Sequence, residues 1–130
     1  MKAETDAALA RYRAVWKSAQ VHEVGKVPGS PVTPYASLSV SAGGAENYSL
    51  AAEHGSRSYR IVVQVVGKAV TEVALAVEGA EEAFLDHRLV VTGLDCTPAE
   101  NPIATDPFRD PDAGGLLTCT LVYTFTATTT

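Results

Sequence analysis

Three histidines, His22, His54 and His87, are the residues best suited to bind a metal ion or move a proton near neutral pH. They fall in three different contexts: a turn after one helical pattern, a Gly/Ser loop, and the end of a second helical pattern. A shared centre therefore needs the fold to gather them. His54, Ser56 and either Asp86 or Asp95 have the residue types of a hydrolytic triad. Ser56 lacks the Gly-x-Ser-x-Gly turn that presents such a nucleophile, and its surroundings, EHGSR, read as loop polarity. Asp106, Asp110 and Asp112 offer oxygen ligands for calcium, but the spacing is not that of an EF-hand and Pro107 and Pro111 interrupt it. Ala42-Gly43-Gly44-Ala45 is followed by no Lys-Ser/Thr pair to hold phosphate, and Asn47-Tyr48-Ser49 reads as a chance match to a glycosylation acceptor. Cys96 and Cys119 are too few for a disulfide scaffold, lack zinc-ligand spacing, and read as reduced and structural. The expectation is a non-enzyme with no catalytic, metal or cofactor site.

The bulk numbers agree with a folded chain. At 130 residues, with 46% hydrophobic and 19% charged residues, the chain fits one domain spanning 1–130. No apolar run approaches the roughly twenty residues of a membrane span. The N-terminal stretch MKAETDAALARYRAVWK is punctuated by charge, so it reads as no secretory signal and the cytoplasm is the default place of synthesis. A formal charge of −5 argues against a surface built to neutralise nucleic-acid phosphates.

The elements that must position these residues follow from periodicity. Ser58 to Val66 alternates Tyr59, Ile61, Val63 and Val65 with Arg60, Val62, Gln64 and Val66, the pattern of a mostly buried strand. After Gly67 the period changes: Val70, Val73, Val77, Ala80 and Phe84 recur at helical spacing, with Glu72, Glu78, Glu81 and Glu82 on the wet side. His87 and Arg88 stand where they would complement the dipole of that helix. Leu89 to Val91 then begins a second extended segment that runs on towards VTGLDCT, which predicts a strand-helix-strand unit with parallel, neighbouring strands. Upstream, Thr5 is a candidate cap for a helix lined by Leu9, Tyr12, Trp16 and Ala19. GKVPGSPVTP, with three prolines and two glycines, predicts an extended loop before the half-buried strand Tyr35 to Ser41. Ala42 to Arg57 predicts a long polar hairpin connection, and Gly93 a bulge or bend. Pro98 to Gly115, with four prolines and several aspartates, predicts a second long loop. Leu116 to Thr126 has the clearest alternation of all, with Leu117, Cys119, Leu121, Tyr123 and Phe125 on one face. The fold class expected is α+β: one domain, a mixed sheet of about four main strands packed by two helices, and two long loops.

This order of elements resembles the tail-terminator (tail-completion) proteins of long-tailed bacteriophages and related tail-like particles. The resemblance covers most of the chain. It rests on the amphipathic N-terminal helix, Pro34-Tyr35 at the start of the first strand, the strand Tyr59-Arg60-Ile61-Val62-Val63-Gln64-Val65, Thr71-Glu72-Val73 near the start of the next helix, and the long final strand. The resemblance implies a non-enzymatic virion protein at the head-proximal end of a tail, made in a bacterial host. It implies a homo-oligomeric ring, usually of six copies, that caps the tail tube and meets the connector or stopper. Its partners would be tail-tube and connector proteins, with DNA passing through unbound and no membrane involved. The contacts are expected on the polar loops, at Glu46, Tyr48, Glu53, His54 and Arg57, and at Glu100, Asp106, Phe108, Arg109, Asp110 and Asp112. Two alternatives stay open: another tube or neck component of such a particle, and a small-molecule-binding α+β domain with Tyr48, His54 or Arg57 at the mouth of its pocket.

Overall fold

A computed structural model describes residues 2–16, 20–29, 31–42, 56–106, 108–110 and 115–129. Helix α1 (Lys2–Val15) leads into a short strand β1 (Val21–Glu23), then β2 (Tyr35–Ala42), β3 (Ser56–Gly67), helix α2 (Val70–Phe84), three short strands β4 (Leu94–Cys96), β5 (Glu100–Ala104) and β6 (Phe108–Asp110), and the long closing strand β7 (Leu116–Thr129). The sheet runs β1-β2-β3-β7, with β4, β5 and β6 laid in succession along the far edge of β7. Only β1 and β2 pair in parallel; the other ladders are antiparallel. This is the α+β class with a mixed sheet, as the periodicities predict.

Both helices lie on one face of the sheet, because that is where the strands put their apolar side chains. Ala36, Leu38 and Val40 of β2, Ile61, Val63 and Val65 of β3, and Leu121, Tyr123 and Phe125 of β7 are all buried. Ala8, Leu9 and Tyr12 from α1 and Val73, Ala76, Ala80 and Phe84 from α2 close the layer. At about 1.5–3 kcal/mol for each large side chain removed from water, this layer is the main source of stability. Aromatic rings bind its parts: Tyr12 meets Phe84 edge-on at 5.7 Å between centroids, Phe84 meets Tyr123 at 5.4 Å, and Tyr59 stacks on Phe125 at 5.2 Å.

Several expectations are corrected. α1 begins at Lys2, so Thr5 is a buried mid-helix residue and no cap; a Lys2–Asp6 ion pair of 3.3 Å spans the first turn instead. The strand-helix-strand unit is present in part only. Its strands do not neighbour each other, because β7 lies between β3 and β4 and pairs antiparallel with both. β3 and β4 therefore run in the same direction one strand apart. Of the second strand expected from Leu89 on through VTGLDCT, only Leu94–Cys96 is strand: Leu89 and Val91 are buried, Val90 is exposed, and a turn at Gly93 (φ +83°), where a bulge or bend is expected, delivers the chain to Leu94. The reason is competition for the edge of β3, which β7 takes. Fourteen alternating residues offer more pairing than the three of Leu89 to Val91, and periodicity does not tell a strand which neighbour it will take.

The dipole of α2 is complemented from elsewhere. Arg11 of α1 donates from Nε to the carbonyl of Ala83 at 2.9 Å and from a terminal nitrogen to that of Glu82 at 3.3 Å. His87 is exposed, and Arg88 donates to the Cys96 carbonyl at 3.0 Å. At the other end, Glu72 sits in the first turn, where its charge complements the dipole, and accepts the backbone N–H of Lys68, the residue before the N-cap Ala69, at 2.6 Å.

The predicted loop from Pro98 to Gly115 is corrected too, since much of it is strand. From Cys96↔Ala127 to Glu100↔Thr124 the edge advances four residues while β7 advances three. It takes three against two to Ile103↔Val122, and four against three from Ala104↔Leu121 to Phe108↔Thr118. Each of these slips of one residue falls in an interval that contains a proline in the sequence: Pro98, Pro102 and Pro107. Proline has no N–H to donate, so a strand carrying one keeps its ladder by bulging. The prolines therefore break an edge strand into three pieces. They do not unmake it.

Candidate assembly surface

The residues expected to carry contacts divide between the two ends of the sheet. Glu46, Tyr48, Glu53, His54 and Asp112 lie outside the described residues. Arg57 is exposed at the start of β3, opposite Ala127 near the end of β7. Glu100 is exposed on β5 opposite Thr124, and Asp106 is exposed just after β5. Phe108, Arg109 and Asp110 form β6, opposite Thr118, Leu117 and Leu116 near the start of β7. The 43–55 connection joins β2 to β3 at the Arg57 end, and the 111–114 connection joins β6 to β7 at the other. With about 3.3 Å of rise per strand residue, Thr118 and Ala127 stand roughly 30 Å apart. The chain thus leaves the sheet for these two connections at opposite poles, at Ala42 and Ser56 on one side and at Asp110 and Leu116 on the other.

Among the described residues none of the candidate chemistries is assembled; His54 of the triad and Asp112 of the calcium set lie outside them. Among the described residues no three His, Cys, Asp or Glu side chains group to hold a metal ion. His22 lies on β1 and His87 beyond α2, on different elements. Ser56 and Asp95 both flank Thr128 in register but on opposite sides of β7, two strand spacings or roughly 10 Å apart. Cys96 and Cys119 are free, buried thiols whose pKa is pushed up by desolvation. The Cys119 thiol donates to the Thr105 carbonyl at 2.9 Å.

What the arrangement offers is surface. Opposite the helices, the sheet presents a face that no described helix covers. Across it, register sets Ser39, Val62, Val122 and Ile103 in one row and Ser41, Arg60, Thr124 and Glu100 in the next. Arg60 and Gln64 are exposed there. The face is rich in hydroxyl groups, with Val62 and Val122 half-buried near its middle, which suits a broad protein contact better than a small ligand.

The two lateral edges differ. At the β1 edge, Arg13 reaches from α1 and donates to the Val21 carbonyl at 3.1 and 2.8 Å, and Gln20 donates through Nε2 to the Pro34 carbonyl. Between α1 and β1 opens a cleft of about 220 Å³, lined by Lys2, Asp6, Leu9, Arg13, His22, Glu23 and Lys26. His22 is held below its ordinary value by partial desolvation and then by the Arg13 charge, so it stays neutral around pH 7. Periodicity gave no signal for this cleft: β1 is only three residues long, and His22 read as part of a turn.

No family model matches the chain, and no curated protein matches it in sequence. Among solved structures, a chain in the one described as "Virion of native gene transfer agent (GTA) particle" matches with a TM-score of 0.71 at 16% identity, over 95% of this chain and 92% of the other. Nearly the whole of each chain takes part, so this protein has the fold of that particle component from end to end.

Proposed function

We propose that this protein is a non-enzymatic structural component of a phage-like virion, and within that class a tail terminator: a ring, of about six copies, that caps the finished tail tube and joins it to the head-proximal connector. The observation that carries the reading is the end-to-end likeness to a chain of a gene transfer agent virion. The placement of the polar connections adds to it. A joint between a tube and a connector needs a contact surface at each of two ends, and the chain leaves the sheet for its two polar connections at opposite ends. The acidic balance suits a conduit through which DNA passes without sticking.

The test is assembly with tail-tube protein, followed by light scattering and negative-stain imaging. The expected result is a ring seated on one end of the tube. A protein that stays monomeric alone and with tube protein sinks the reading. A ring that stacks into tubes by itself would make the chain a tube component instead. Excising residues 101–112 would be a poor probe, because it removes β6 and most of β5 and strips the edge of β7. Charge changes at exposed Arg57 and Asp106 disturb the two poles without that damage.

A further inference from the structure

The chain's charge is not spread evenly across its sheet. Among the described residues, 2–16 and 20–29, which build α1 and the β1 edge, carry four basic against three acidic side chains; 94–106 and 108–110, which run along the opposite edge, carry one against four. One lateral edge of a protein of net charge −5 is thus formally +1 and the other −3 over the described residues. They stand four strand spacings apart, roughly 19 Å. On the acidic edge Asp95, Glu100 and Asp106 are exposed and make no ion pair among the described residues. On the basic edge Lys2 and Lys26 are 80% and 71% exposed, and their ion-pair partners among the described residues are sequence neighbours, Asp6 at 3.3 Å and Glu23 at 2.8 Å. Such exposed pairs are worth little and exchange partners readily.

We propose that the α1/β1 cleft, with Lys2, Arg13 and Lys26 about it, receives the acidic β4–β6 edge of a second copy of this chain, so that successive copies join head to tail. The inference rests on the ring reading and names the contact that would close the ring. A two-fold contact would set acid against acid or base against base; only the heterologous pairing brings opposite charges together, and a heterologous contact that closes on itself makes a ring. Direct strand addition is disfavoured at both edges. Single-residue slips break the β4–β6 edge, and Arg13 occupies the Val21 carbonyl of β1. The contact is therefore made through side chains.

Charge reversal tests this. One variant carries Glu100→Lys and Asp106→Lys, and a second carries Lys2→Glu and Lys26→Glu. All four positions are exposed, so melting temperatures should stay at the wild-type value. By sedimentation velocity, each variant alone should associate with itself at least about tenfold more weakly than the wild type. An equimolar mixture of the two should recover assembly, because each then offers the other a complementary edge. Wild-type assembly in both single variants, or loss that mixing does not restore, overturns the contact while leaving the ring reading in place. A wild-type chain that is monomeric both alone and with tube protein overturns both.

Discussion

Two buried tyrosines show how differently one side chain is used. The Tyr12 hydroxyl donates to the Ala76 carbonyl at 2.7 Å and ties α1 to α2, whereas the Tyr123 hydroxyl is buried with no partner among the described residues. Burial pushes both phenols well above the ordinary range, so both stay neutral at any ordinary pH. Tyr123→Phe should therefore leave stability unchanged or raise it by up to about 1 kcal/mol, while Tyr12→Phe should lower it by about 1–2 kcal/mol; urea denaturation separates the two. Gly79 is a second residue whose role is steric. A Cβ there would stand 2.8 Å from the Trp16 ring, which explains a glycine in the buried face of a helix. Gly79→Ala should cost about 1–2 kcal/mol, the overpacking penalty less the gain in helix propensity. With Trp16→Ala in the same chain the sign should reverse, and a double-mutant cycle reads the coupling. No spacing rule marks Gly79, because the partner that excludes a side chain is sixty-three positions away in the sequence.

Among the elements, the helices were legible and their ends were not. The stripe of Val73, Ala80 and Phe84 is buried as its period demands, and Val77 is half-buried, but Val70 is exposed because the stripe's first residue overhangs the sheet. The C-terminal carbonyls of α2 take their cation from Arg11 on another helix. Arg11→Ala should destabilise the protein by about 1–2 kcal/mol, and Arg11→Lys by less, because it keeps the charge and loses the fork of donors; thermal melts at low salt check this. The edge strand makes the same point. Four prolines in eighteen residues predict a loop when only local rules apply, since proline removes a ladder donor. They are tolerated here because β7 offers a long, regular partner against which the edge slips by single residues.

For the molecule as a whole, the shared core has a cooperative consequence. Both helices and β2, β3 and β7 bury their side chains in one layer, so residues 1–130 should unfold in a single step. The fluorescence of Trp16, the one tryptophan, and far-UV circular dichroism should give superimposable transitions in denaturant; separated midpoints would mean two units. The sequence by itself determined the α+β class, the buried faces of β2, β3 and β7 and the apolar stripes of both helices. These depend on periodicity, a property each segment carries within itself. Only the tertiary structure decided that β7 lies between β3 and β4, that the proline-rich segment is a bulged edge, that the chain leaves the sheet for its polar connections at opposite poles, and that exposed Lys2 and Lys26 stand at one lateral edge and exposed Asp95, Glu100 and Asp106 at the other. Those features depend on which strand takes which neighbour, a competition between distant segments that no single segment records.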